Sequence, residues 1–267
     1  LKQKSRFRHF LAKTPLRLFK HRLSEKKLAS EIEVIGTSAP DGFAVPPALL
    51  IVEVAGRMTV AGFLSGGLAV AERFCELAEK YGAPWGLNSH ILDWGCGCGR
   101  VARHLLAKNH LQITGVDVNP RQIEWAKNNL PGTFRTCNLL PPLPGIGDET
   151  FDGAFGFSVL THLKGPTQRL WLFELSRVLK DGAITILTFH DENNEFLDGS
   201  GASRPSLDRD GIAWNYNFAE GSNAIATFQT SRWLENVATE AGFEVMEVNG
   251  PTASFQQSYI VLRKQKA

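Results

Sequence analysis

ILDWGCGCGR, residues 91–100, joins an apolar run to an acid at Asp93 and then to glycines at 95, 97 and 99. His90–Asp93 reads as a short apolar strand that enters a glycine loop, and residues 99–109 read as a helix. Glycines at such a junction let the backbone turn sharply and let a ligand lie against the main chain. The first turn of the helix offers free N–H groups beside that ligand. A plain strand-to-helix turn needs only one glycine, so three alternating glycines beside Asp93 point to a cofactor site.

Outward from this loop the pattern is regular. Residues 111–118 read as a strand, 120–130 as a helix and 133–137 as a short strand before a proline-rich loop. A buried strand is predicted over 151–159, a helix over 166–180 with Pro166 in its first turn and Gly182 past its end, and a strand over 183–190. Strands alternating with helices predict an α/β fold, a parallel sheet with helices on both faces. Residues 191–228 are polar, glycine-rich and too long for a plain connection. A helix at 230–241 and strands at 243–248 and 257–263 follow, and the short turn between those strands predicts antiparallel pairing. Upstream, 68–81 reads as a helix ending before Gly82, 48–66 is apolar but unassigned, and 36–47 reads as a linker.

The chemistry of the loop separates two cofactor classes. A dinucleotide site asks for G-x-G-x-x-G, and this chain has Arg100 where the third glycine belongs. A carboxylate at the strand tip repels a pyrophosphate and attracts an ammonium or sulfonium. S-adenosylmethionine carries both cations and no phosphate. Asp117, at the end of the second strand, can accept hydrogen bonds from both hydroxyls of a ribose, which either cofactor provides.

ILDWGCGCGR, GVDVNPRQIEWA, PPLPGIGDETFDGAFGFSVLTHL and LSRVLKDGAITILTFH stand in the order found in class I S-adenosylmethionine-dependent methyltransferases, a family this chain resembles over residues 85–265. The resemblance implies a three-layer, Rossmann-like, seven-stranded sheet with the last strand antiparallel, here preceded by an N-terminal helical extension. With the charge and composition of the upstream segments, the expected organisation is a basic arm at 1–35, a linker and helical cap at 36–84, and a class I methyltransferase domain at 85–267, with 191–228 inserted over the cleft. The resemblance further implies that Asp93, Gly95, Cys96, Gly97 and Gly99 cradle the methionine end of S-adenosyl-L-methionine and that Asp117 holds its ribose. Val118, Cys137, Asn138 and Leu139 would face the adenine, with the Asn138 carbonyl replacing the Asp of many relatives. Ser158 begins the SVLTH segment (158–162) that would pass under the methyl group. The wording of these motifs is frequent among bacterial relatives acting on sugars, polysaccharides and small metabolites, which implies a small-molecule or glycan acceptor and O-methylation.

His162 follows the fourth strand, where some relatives place a catalytic histidine; the bland alternative is a helix-start residue packed on the domain. His190 ends the fifth strand beside Asp191 and would also face the cleft. Both are the candidate catalytic groups. Phe63, Trp214, Tyr216 and Phe218 would form an apolar wall over the substrate or be buried in a cap. Cys96 and Cys98 are separated by one residue with no further ligand nearby, so they read as small loop fillers, and no metal is expected.

The 267 residues include 43% hydrophobic and 21% charged, enough for a core, and no run of eighteen apolar residues exists. Residues 1–30 hold ten of the 29 Lys/Arg and one of the 27 acids, a net of +9, which leaves −7 on the rest. An acidic body with a basic arm argues against nucleic acid on the body and for an anionic surface near the arm, such as membrane lipid; a solvated terminus is the plainer alternative. Four cysteines without a C-x-x-C pair read as reduced and cytoplasmic, with peripheral membrane contact through the arm. The chain begins at Leu1 rather than Met, which leaves room for a preceding segment. Two rival functions stay open at this stage: a NAD-dependent oxidoreductase, and a non-catalytic S-adenosylmethionine-binding module with a plugged cleft.

Overall fold

The computed structural model describes residues 23, 26–27 and 39–266, apart from 57, 109–110 and 216–218. The basic arm and the aromatic positions Tyr216 and Phe218 therefore lie wholly or almost wholly outside the described residues.

Five strands run parallel: β1 (His90–Trp94), β2 (Gln112–Asp117), β3 (Thr133–Thr136), β4 (Phe151–Gly156) and β5 (Leu179–Phe189). A separate two-stranded ribbon, β6 (Ile212–Trp214) with β7 (Thr227–Gln229), follows them, and then β8 (Phe243–Asn249) and β9 (Ser258–Lys264). The main sheet has seven strands in the order β3-β2-β1-β4-β5-β9-β8, with β9 antiparallel to both neighbours. This is the α/β architecture expected from the alternation of elements.

Strands buried on both faces carry near-continuous apolar sequence, and their side chains alternate between faces. Ile91 and Leu92 show the consequence. Leu92 joins a core with Trp94, Val116, Trp171 and Leu187 on one face, while Ile91 joins Ile113, Phe134, Phe155 and Ile186 on the other. The α-helices among the described residues are α1 (Ala48–Ala55), α2 (Val60–Lys80), α3 (Ala102–Lys108), α4 (Pro120–Asn129), α5 (Gly165–Val178), the short α6 (Leu197–Ser200) and α7 (Arg204–Asp210), which pack on the β6–β7 ribbon, and α8 (Ser231–Glu240). Thr59, Asn119 and Thr230 cap α2, α4 and α8 by accepting main-chain N–H groups of the first turn.

Several boundaries differ from the sequence reading. Residues 48–55 and 60–66 are helical, as α1 and the first third of α2, although the glycines of this stretch weaken the helical pattern. Gly67 has a reason to be glycine: a Cβ there would lie 2.3 Å from the Arg100 carbonyl, so α2 lies directly on the turn after the glycine loop. That turn occupies residues 97–101, and α3 starts at Ala102 rather than 99. Helix α5 stops at Val178, because Leu179 already pairs with Phe151, and Gly182 (φ +78°) lies within β5 instead of closing the helix.

The segment before α1 is tied to the sheet domain by a buried ion pair. Arg103, fully buried on α3, donates from Nε to Asp41 Oδ2 at 2.5 Å and from Nη2 to Asp41 Oδ1 at 2.9 Å. Removing one partner of such a pair strands a buried charge. Asp41→Ala should therefore lower unfolding free energy by about 3–5 kcal/mol, read as a reduced urea midpoint. A midpoint within error of the wild type would show that the segment docks without this pair.

Candidate active site

The carboxyl ends of β1, β2, β4 and β5 border a cleft of about 1300 Å³ that α1, α2 and the 219–224 segment also line. Its floor is the glycine loop. Gly95, Gly97 and Gly99 all adopt positive φ, +75°, +53° and +78°, a conformation only glycine takes without strain. A Cβ would strike Val159 from Gly95, Val54 of α1 from Gly97, and Leu130 from Gly99, each within 2.6 Å. Gly95, Cys96 and Gly97 line the cleft. Gly99 does not: its missing Cβ makes room for Leu130, so it serves packing rather than a ligand.

Asp117 stitches the loops together. Its Oδ2 accepts the Gly97 N–H at 2.9 Å and its Oδ1 accepts the Asn119 N–H at 2.8 Å. Each oxygen keeps a second lone pair, and the residue lines the cleft. Burial raises its pKa against the pull of these N–H groups. Asp93 is only 3% exposed, and its Oδ2 has no hydrogen-bond partner. Burial first, and the charge of Asp117 second, hold its pKa well above the ordinary carboxylate range. The cleft thus contains a buried acidic corner that is short of a donor or a cation.

The adenine-side residues divide by the alternation of an extended chain. Cys137 and Leu139 line the cleft, as does Val118 of the preceding strand end, whereas Asn138 between them is exposed and points away. The expected Asn138 contact is therefore corrected. Of the two readings open for Phe63, wall or buried cap residue, burial holds: it is fully buried in a core with Ile51 and Cys98. Trp214 packs toward Gly165 and is not among the lining residues. Cys98 is buried in that same core, and burial pushes the thiols of Cys98 and Cys137 up to about 12, so both stay protonated.

His162 and His190 both line the cleft. His162 Nδ1 lies 3.0 Å from the Ile225 carbonyl, which only accepts, so Nδ1 carries the hydrogen and Nε2 the lone pair. Burial lowers its pKa, which keeps the ring neutral at neutral pH. His190 stacks on Phe228 with ring centroids 5.2 Å apart, and burial, then His162, pull its pKa down to about 4. Ser158, at φ +63°, lies in a strained conformation held by a closed ring of hydrogen bonds. Its N–H donates to Thr188 Oγ1, Thr188 donates to Gln257, and Gln257 donates back to Ser158 Oγ, all within 2.8 Å.

Glu53 and Arg100 also shape the site, and the sequence reading gave neither a role here. Glu53 accepts from Asn119, Arg121 and Gln122, and its carbonyl accepts from Asn223, which joins α1 to the 219–224 segment across the cleft. Its signal was hidden in an unassigned stretch. Arg100 stood in the deciding motif but was weighed only as a replacement for glycine.

Residues 91–182 match the family described as methyltransferase domain. An O-methyltransferase of Pyrenophora dematioidea is 29% identical over 60% of this chain and 56% of its own length. The 24-methylenesterol C-methyltransferase 3 of Arabidopsis thaliana is 31% identical over 40% of this chain and 33% of its own. The chain thus spans about half or less of the curated relatives it matches. A SAM-dependent methyltransferase structure from Methanosarcina mazei superposes with a TM-score of 0.55 at 22% identity, covering 71% of this chain and 97% of the other. Residues 91–182 are therefore similar to a methyltransferase domain, in a chain that has the class I methyltransferase fold.

Proposed function

We propose that the chain transfers a methyl group from S-adenosyl-L-methionine to an oxygen of a small-molecule or glycan acceptor. The observation that carries this reading is Asp93: a buried carboxyl without a partner, beside a second buried carboxyl, at the floor of the cleft. Two acids there oppose a pyrophosphate and suit an ammonium and a ribose. That argument, with Arg100 at the third-glycine position, sets aside the dinucleotide alternative. A regulatory module with a plugged cleft is disfavoured by the open volume, which has room for cofactor and acceptor together.

When bound, the cofactor supplies an electrophilic methyl carbon. The residues of the chain then have separable tasks. Asp93 faces the amino group, and the spare lone pairs of Asp117 take the ribose hydroxyls. Val118, Cys137 and Leu139 form the adenine wall. Glu53 and Asn223 hold the cap and the 219–224 segment together, which keeps water from the reacting atoms. His162 takes the proton of an attacking hydroxyl at Nε2. His190, a far weaker base, stays neutral and shapes the wall beside it. A hydroxyl must shed a proton as it attacks, so a neutral, oriented imidazole favours oxygen as the acceptor atom. The name of the Pyrenophora relative agrees with that choice. Four free cysteines suit a reducing, cytoplasmic setting, the acidic body does not suit nucleic acid, and residues 1–30 suit an anionic membrane surface.

Calorimetry should show binding of S-adenosylhomocysteine and none of NAD. The raised pKa of Asp93 adds a linkage. A carboxyl raised in the folded state stabilises the protein fully below its unfolded pKa of about 3.9 and loses that contribution as pH rises through the folded pKa. An ammonium partner restores the ionised form, so binding should release a proton and tighten as pH rises. Binding heats that are identical in buffers of different ionisation enthalpy would contradict this, and Asp93→Asn should abolish the difference.

His162→Ala should reduce turnover by about 10²–10⁴ and leave S-adenosylhomocysteine affinity nearly unchanged. Full turnover in the variant would mean that the acceptor arrives already deprotonated, as a carboxylate does.

A further inference from the structure

Two arginines three residues apart meet opposite fates. Arg103 is buried against a carboxylate. Arg100 also lies largely buried, yet among the described residues its side chain makes no ion pair and no hydrogen bond, and its Nε is buried without a partner. Its guanidinium sits between two aromatic rings, 5.5 Å from the centroid of Phe157 and 5.9 Å from that of Phe63. Position 66 on α2 is glycine, and a Cβ there would fall 2.5 Å from Nη2. Rings and glycine together form a slot that holds the guanidinium plane at the wall of the cleft.

A buried cation without a counter-ion is costly, and arginine cannot shed its proton to escape the cost. Burial works to lower its pKa. The cleft is polarised, with carboxyls at the tips of β1 and β2 and, against α2 and Phe157, the residue preceding Ser158, a guanidinium without a counter-ion; the other described cations of its wall, Arg121 and Lys164, are paired with Glu53 and Glu220. A planar fork of N–H donors, fixed by aromatic faces, is the group that recognises a carboxylate or phosphate by paired hydrogen bonds.

We propose that Arg100 is the receptor for an anionic group, a carboxylate or a phosphate, carried by the methyl acceptor. This rests on the methyltransferase reading, in which the cofactor occupies the acidic corner and leaves the Arg100 side of the cleft to the acceptor. The anion supplies the counter-charge that the fold withholds. An acceptor lacking it leaves the guanidinium desolvated and unpaired, so Arg100 sets specificity.

The test compares the full chain with Arg100→Met, which fills the slot without charge, and Arg100→Lys, which keeps the charge and loses the fork. Thermal unfolding is followed with and without saturating S-adenosylhomocysteine, in inorganic phosphate and in sodium chloride of matched ionic strength. Phosphate should raise the wild-type midpoint above the chloride control in both states. The rise should vanish in Arg100→Met and be reduced in Arg100→Lys, while S-adenosylhomocysteine affinity changes by less than about twofold. The cofactor-free arm separates the two readings. A phosphate effect lost in Arg100→Met supports the anion site even where S-adenosylhomocysteine gives no heat, a result that would sink the methyltransferase reading alone. Two outcomes overturn the proposal. If Arg100→Met weakens S-adenosylhomocysteine by roughly tenfold or more but spares 5′-methylthioadenosine, which lacks the amino-acid end, the guanidinium serves the cofactor's own carboxylate. If phosphate has no effect on the wild type, or the same effect on every variant, Arg100 is a structural brace between Phe63 and Phe157. Should Arg100→Met fail to fold, Gly66→Ala, which displaces the guanidinium but keeps its charge, must weaken the phosphate effect for the proposal to stand.

Discussion

Two carboxyl groups buried together at the tips of adjacent parallel strands constrain everything around them. Asp93 is the penultimate residue of β1 and Asp117 ends β2, and the register that pairs Asp93 with Gly115 brings the two acids to the same edge. Ionising both in a dry corner is unfavourable, and the structure answers with donors. Gly97 and Asn119 turn their N–H groups onto Asp117, which requires the positive φ at Gly97 and hence glycine. Asp93 receives no such donor at Oδ2 and stays protonated far above the usual range. The loop geometry and the close approach of α1 through Val54 are built around that unfinished pair, and in the proposed function a cation completes it.

The cap forms one wall of the cleft above this corner. Glu53 is the hinge of the arrangement, since its side chain gathers Asn119, Arg121 and Gln122 at the start of α4 while its carbonyl receives Asn223 from the opposite wall. Main-chain hydrogen bonding carries the closure further, with the Gly221 N–H on the His162 carbonyl. The same segment that closes the cleft therefore positions the candidate base, and Ile225 a few residues later fixes its tautomer. In the proposed function, one stretch of chain thus borders the cleft and orients the base. Arg100 sits apart from both, as a second electrostatic pole.

The sheet was legible because parallel strands are written as apolar runs and each is punctuated by glycine, proline or an acid. Asp93 and Asp117 could be placed at strand ends for the same reason. The failures have physical causes as well. Residues 48–66 hid two helices because Gly66 and Gly67 are demanded by Arg100 rather than by helix propensity, and that contact joins positions far apart in sequence. Asn138 was assigned from the resemblance and its amide carbonyl, without the alternation that puts 137 and 139 on the cleft and leaves 138 exposed. Phe63 carried an apolar signal that suits a wall and a core equally, and only packing decides between them. Gly99 belonged to the motif but answers to Leu130.

The central claim is that the acidic corner belongs to S-adenosylmethionine and the opposite pole to the acceptor. A crystal structure of the full chain with S-adenosylhomocysteine tests it most directly. The account predicts ribose hydroxyls within hydrogen-bond reach of Asp117, the amino group turned toward Asp93, and an Arg100 guanidinium that the cofactor leaves untouched. Density for the ligand's carboxylate on Arg100 with Asp93 still unpaired, or a ligand bound outside the β1–β2 corner, would contradict it.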